Sequence, residues 1–307
     1  MSAEPRLAST AISIDAQPMT ARRRWMGFLR AVARNPSGQI ALGFVVLIVG
    51  AALLAPVLVH YDPTSTDLTN ANLPPLGLKG GSVAHPLGTD NFGRDLLARL
   101  IYGSRTSLFI GIFAASVAAT LGSVLGLLAG YYDRTLGPFL LRLAEIQFSL
   151  PFTVIALAVI AVYGPGLRNL LILLSVIGWA GYARTIAVSV SQANRMDFVT
   201  AARLQGAGTV RVLFRHILPN VWGPIIVLWS TSAGVLILAE SGLSFIGLGV
   251  QAPQFSWGSM LAEAQSALRT QWWEAIFPGL ALTFTVVSFN LIGDAIRDAL
   301  NVRLANR

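Results

Sequence analysis

The chain has 307 residues, 54% of them hydrophobic and only 12% charged. A soluble domain carries roughly 25% charged residues, so there is too little charge here to face water on all sides. The formal net charge of +8 and the absence of cysteine bound the rest. The basic residues lie in short segments between apolar runs and form no stripe with interleaved aromatics, which argues against a nucleic-acid partner. Without cysteine there are no disulfides, thiolate metal sites or cysteine nucleophiles.

Residues 1–38 are polar, then basic, with Arg22, Arg23, Arg24, Arg30 and Arg34. They read as a cytoplasmic tail. The apolar run from Ile40 to Val59 matches the roughly 20 residues that span a hydrocarbon core and exceeds a signal-peptide apolar region. It predicts a retained first transmembrane helix.

The outer segment 60–104 has its own pattern. Asp62-Pro63 and Pro74-Pro75 mark turns, and His85-Pro86-Leu87-Gly88-Thr89-Asp90 precedes Gly93-Arg94-Asp95. Asp90 or Asn91 is positioned to cap an amphipathic helix with Phe92, Leu96, Leu97, Leu100 and Ile101 on one face. Asp90/Arg94 and Asp95/Arg99 would pair at i,i+4 on the other.

Five further spans are expected at about 106–130, 138–163, 168–190, 221–249 and 275–296. With both termini inside, sixteen of the 22 basic residues fall on the cytoplasmic side, as the positive-inside rule requires. The inner loop 191–220 then lies in the cytoplasm. Its segment Asp197-Phe198-Val199-Thr200-Ala201-Ala202-Arg203-Leu204-Gln205-Gly206-Ala207-Gly208 predicts a short helix suited to docking in a groove. Small residues allow close approach, while Phe198 and Leu204 offer apolar anchors. A second helix is expected from about Thr209 to Leu218, ending at Pro219.

Here the sequence resembles the permease subunits of binding-protein-dependent ABC importers. Thr200-Ala201-Ala202, Gly206 and His216-Ile217-Leu218-Pro219 have the spacing of that family's inner-loop motif, with Thr200 standing where the family has glutamate. The outer motif is similar to that of the C-type subunit of the dipeptide, oligopeptide and nickel group. So are Ser241 to Gly249, Ser256-Trp257-Gly258, Phe289-Asn290 and Gly293 to Asp298. The resemblance implies an all-α membrane protein of the type I ABC importer permease fold in the bacterial cytoplasmic membrane. It would occupy residues 39–303, leaving 304–307 as a tail.

The resemblance also implies partners: a second, B-type permease, one or two cytoplasmic ABC ATPases and an extracytoplasmic substrate-binding protein. Asp197, Thr200, Ala201, Ala202, Arg203, Gly206, Gly208 and Pro219 would form the ATPase-coupling loop. His85, Pro86, Gly88, Thr89, Asp90, Gly93, Arg94 and Asp95 would form the outer-face motif.

The chain's single lysine, Lys79, follows Leu78, so there is no Walker A sequence. ATP and Mg are expected in the ATPase subunits, and no cofactor, metal or catalytic residue in this chain. The rival reading is an ion-coupled transporter or channel using Glu145, Glu240 or Asp294. Their positions near expected helix ends predict interfacial solvation for all three.

Overall fold

The structure is a computed structural model that describes residues 35–305, with side chains through 300. The arginine-rich part of the N-terminal tail, residues 1–34, lies outside the described residues, as do residues 306 and 307 of the C-terminal tail.

The first helix, α1 (Pro36–Leu53), starts four residues before the expected Ile40 because Asn35 caps it: its Oδ1 accepts from Ser37 N, and Pro36 supplies the first helical φ. The helix breaks at Leu54 and resumes as α2 (Ala55–Leu58). The Arg105 guanidinium holds the break by donating to the carbonyl oxygens of Ala52 and Leu53.

Next comes the strap 60–95, then α3 (Leu96–Tyr131), α4 (Leu136–Ser149), α5 (Phe152–Tyr163), α6 (Leu167–Asn194) and the short α7 (Asp197–Leu204). The turn α8 (Thr209–Arg211) passes through a wider turn, Val212–Ile217, into α9 (Leu218–Phe245). Finally α10 (Trp257–Ala264) precedes the long α11 (Trp273–Ala305).

Five helices are long and apolar enough to cross a membrane, and a sixth crossing exists if the bent pair α4–α5 forms one. The expected continuous helix 138–163 is therefore interrupted, with α4 and α5 meeting at 87°. Pro151 is the cause. It has no N–H to give, and it drives Leu150 into the extended region, φ −97 and ψ 130. At 14 and 12 residues each half reaches only about 20 Å, short of a hydrocarbon core of about 30 Å.

The expected stop at Pro219 is also overturned. Leu218 N donates five residues back to Leu213 O, so the helix has already left the i−4 pattern when Pro219 arrives. A proline there sacrifices no regular hydrogen bond, and the helix runs on to Phe245.

The closest helix packing joins α3 to α6. Gly122, Gly126 and Gly130 recur every four residues on one stripe of α3, and a Cβ on any of them would run into the carbonyl oxygen of Trp179, Ala183 or Ala187. Such stripes let helix backbones approach where lipid gives no hydrophobic drive. The outward faces stay apolar: Val46, Leu47, Phe139 and Val162 are all exposed, as lipid contact requires.

Candidate functional site: a polar clasp and a loop with a two-faced helix

Two clusters hold the residues singled out above, one at each end of the helices. In the strap, the backbone of 67–76 folds against 86–92: Leu76 N donates to Pro86 O, Thr89 N to Leu73 O, Asn72 N to Asp90 O and Asp67 N to Phe92 O. The fully buried Thr89 locks this pairing, its hydroxyl donating to Asn70 O at 2.6 Å and accepting from Leu73 N at 2.8 Å. Gly88 (φ +83) and Gly93 (φ +73) sit in the left-handed region, and a Cβ there would strike the carbonyls of Leu73 and Asp67. Both positions thus need glycine twice over.

The expected amphipathic helix starting at Asp90 does not form. Residues 90–94 make a tight turn instead, in which Gly93 N donates to Asp90 O and Asp90 N donates to Arg94 O. The helix begins at Leu96 as the first turn of α3, because the carboxylate of Asp95 caps it through Ala98 N at 2.7 Å. The other oxygen of Asp95 faces His85 Nδ1 at 2.9 Å. A carboxylate can only accept from an imidazole, so Nδ1 carries the proton. His85 thereby ties the Pro86 turn to the helix start.

The i,i+4 expectation holds for one pair and fails for the other. Asp90 Oδ2 accepts from Arg94 Nε and from Arg99, both at 2.7 Å, and Oδ1 accepts from the backbone N–H of Phe92 and Arg94. Arg99 turns away from Asp95, which is committed to the cap, and joins Asp90 and Glu263. Glu263, on α10, accepts from Arg94 at 2.6 Å and from two nitrogens of Arg99 at 2.7 and 3.2 Å. Burial pushes the Glu263 carboxyl up, but the hydrogen bond and charge of Arg99 and the charge of Arg94 reverse this and hold it below its usual range. Nothing in sequence spacing announced Glu263, which is 164 residues from Arg99.

The Ser256-Trp257-Gly258 motif completes the clasp. Trp257 is fully buried, with N–H groups donating to Leu100 O and Ser107 Oγ. Ser256 caps α10 in a reciprocal box with Ser259. Its hydroxyl also donates to Glu240 Oε1 at 2.7 Å, beside Ser244 at 2.7 Å, while Ser241 donates to Oε2 at 3.2 Å. Glu240 was expected at a solvated helix end, yet it is 0% exposed. Because α10 folds over the end of α9, three serines from two motifs take the place of water around the carboxylate. Glu145 and Asp294 are exposed.

The inner cluster is built differently. On α7, Val199 and Ala202 face inward, Val199 joining a core with Leu127, Ile186, Val190, Val212 and Ile217. Asp197 in the first turn and Arg203 in the last suit the helix dipole. Arg203 donates to Asn194 Oδ1 and lies 5.2 Å over the Tyr131 ring. Gly206 ends the helix at φ +79, and Gly208 leads extended into α8. Thr200, Ala201, Gly206 and Gly208 are exposed, while Pro219 is half-buried in the first turn of α9. The helix's outer face carries Met196, Phe198 and Leu204, with Leu204 84% exposed.

The comparisons with known proteins now bear on this arrangement. Residues 122–306 match the family described as "Binding-protein-dependent transport system inner membrane component". The chain belongs to that family. Residues 23–75 match the N-terminal transmembrane domain of oligopeptide transport permease C, which places this permease in the C-type group. It is 41% identical over 279 residues to the di/tripeptide transport system permease protein DppC of Pseudomonas aeruginosa, covering 91% of this permease and 92% of that one. The dipeptide transport system permease protein DppC of Alkalihalophilus pseudofirmus is 36% identical over 93% of this permease and 92% of its own length. The glutathione transport system permease protein GsiD of Pectobacterium atrosepticum is 37% identical over 92% of each. These relatives are permease subunits rather than ATPases, and this permease is accordingly a multi-pass protein of the inner membrane.

Proposed function

We propose that this chain is the C-type permease subunit of an ATP-driven importer of short peptides or a related small solute such as glutathione or a nickel chelate. It forms the translocation pathway with a B-type permease, takes substrate from an extracytoplasmic binding protein and is driven by one or two separate ATPases, which hold the ATP and Mg. Both termini and α7 lie in the cytoplasm, and the strap with α10 lies outside.

The observation that carries this reading is the two-faced α7. Its inner side is anchored in the core by Val199, while Phe198 and Leu204 stand exposed on the other. An apolar face that has no lipid to cover it suits a partner groove. In this reading Asp197, Thr200, Ala201, Ala202, Arg203, Gly206, Gly208 and Pro219 form the coupling loop, with Ala202 and Pro219 supporting it from within. His85, Pro86, Gly88, Thr89, Asp90, Gly93, Arg94 and Asp95 fix the outer surface that receives the binding protein or the second permease.

Gentle detergent extraction followed by mass spectrometry tests the assembly. Recovery of a second permease with Walker-containing ATPases supports it. A chain that purifies alone and moves peptide without ATP sinks it. Orientation is tested separately, since the chain has no cysteine of its own. A cysteine at exposed Val83 should react with an impermeant thiol reagent added outside, and one at exposed Gln205 should not.

A further inference from the structure

Beside the outer clasp lies a pocket of about 230 Å³, lined in part by Asp90, Phe92, Arg94, Glu263, Ser266 and Glu274. Its charges do not cancel. Asp90 is saturated by two backbone N–H groups and two guanidiniums, and Glu263 accepts from the same two arginines. Two carboxylates thus meet two cations. Glu274, in the first turn of α11, is the carboxylate left over.

Glu274 is only 4% exposed, and its Oε1 is enclosed without a hydrogen-bond partner. Three residues earlier, just before α11, Gln271 Oε1 is enclosed and unpartnered too. A buried acceptor left without a donor destabilises the site that holds it. Oε1 being enclosed, an incoming cation would meet the rest of the Glu274 carboxyl and balance the negative charge left over there.

We propose that this pocket is a binding site for a single primary ammonium group presented at the outer face. An ammonium brings three donors and no acceptor, as a lone carboxylate with an empty lobe requires. A divalent metal fits poorly, because Asp90 and Glu263 are already engaged. Among the described residues no group of three His, Cys, Asp or Glu is placed to hold a metal. A guanidinium fork needs both carboxylate oxygens open, and Oε1 of Glu274 is enclosed. The volume falls below the roughly 300–1,000 Å³ of sites that enclose whole drug-sized ligands, so the pocket takes one group of a larger ligand.

Two sources present this chemistry, the amino terminus of a peptide and a lysine side chain of a docked binding protein. Both, and the outer placement of the pocket, rest on the functional reading above.

The test is a titration of the purified chain, with the subunits that accompany it, in nanodiscs of phosphatidylglycerol that contain no lipid amine. The probe is methylammonium and the readout is tryptophan fluorescence, Trp273 being hydrogen-bonded to Thr89 O next to the site. Tetramethylammonium, with equal charge and no N–H, is the control. A saturable response to methylammonium alone is expected. Glu274→Gln should weaken it by about tenfold or more, the order expected when a charge-assisted hydrogen bond is lost. Ser266→Lys, at an exposed position on the rim, should weaken it similarly by tethering a competing ammonium.

Displacement of the probe by dialanine but not by N-acetyl-dialanine assigns the site to the peptide amino terminus. Displacement by the ligand-free binding protein alone assigns it to a lysine. A response that does not saturate, that tetramethylammonium reproduces, or that both variants leave unchanged overturns the site. The titration needs no transport, so failure of peptide import leaves its result intact.

Discussion

The outer clasp and the inner loop both carry motif residues, but they spend their polar and apolar groups in opposite ways. In the clasp almost every side chain is satisfied within the chain: Asp90 by four donors, Asp95 by a helix start and His85, and Thr89 by two backbone partners. On α7 the burial is one-sided, and the remaining apolar residues face out. The difference separates a motif satisfied within the chain from one whose apolar residues stay uncovered, which the proposed function assigns to a partner. Substitution in the clasp should therefore appear first as lost stability, and substitution on α7 as lost association.

The largest effect on stability is expected at Asp90. Asp90→Ala strips two arginines of a shared counterion, one of them only 2% exposed, and removal of one partner from a buried ion pair costs about 3–5 kcal/mol. Thermal unfolding in detergent should show a large fall. An unchanged midpoint would mean that the clasp does not hold the outer end together.

Next comes Gly126→Leu, which drives a side chain into Ala183 and Ile186 on α6. Overpacking of this kind typically costs about 1–3 kcal/mol. The measurement is the same unfolding curve, with Leu204→Asp as the contrasting surface change.

Acid should act more mildly. Because the carboxyl of Glu263 is held below its ordinary 4.5, its contribution is fully present above that value and is lost as pH falls through the lower folded value. Glu263 is partly exposed, its side chain 40% accessible, so the loss should stay below about 1 kcal/mol. A midpoint flat between pH 7 and 5 and dropping below about 4 is expected; Glu263→Gln should remove that part of the drop.

The smallest effect on stability, within about 0.5 kcal/mol, is expected for Leu204→Asp, where the side chain is 84% exposed. Yet this variant should lose the co-purifying ATPase. Gly206→Glu belongs with it. A side chain at φ +79 meets nothing within 4 Å, so the backbone strain is local and about 1 kcal/mol, while uptake in membrane vesicles should stop. Normal uptake by Gly206→Glu would remove the coupling role from this loop.

Much of this was legible residue by residue. Asp62-Pro63 and Pro74-Pro75 marked turns, and turns are there, closed by Ser65 N to Asp62 O and Leu78 N to Pro75 O, but the helix cap is Asp95, four or five residues after the expected Asn91 or Asp90. Asp90, Asn91 and Asp95 are all competent caps by type. Only the strap folding back on Asp90 leaves Asp95 as the one that captures Ala98 N. Pro151 was visible inside an apolar run, and membrane helices often tolerate proline. Whether it bends a helix or breaks it depends on neighbours that re-satisfy the freed carbonyl, which no local pattern reports. The glycines at 122, 126 and 130 show a stripe in the sequence; their partner, α6, does not.

What the sequence determined by itself was the set of apolar runs and the two motif regions. These depend on solvation and on local backbone preference, both of which act residue by residue. The tertiary structure alone decided that Glu263 and Glu274 would meet Asp90, Arg94 and Arg99, and that Glu240 would be enclosed by serines rather than bathed in water. The first outcome requires α10 and the start of α11 to fold onto the strap across some 160 residues of chain, and the second requires α10 to fold over the end of α9. A carboxylate's environment is set by what packs against it, and that is a property of the assembled helices.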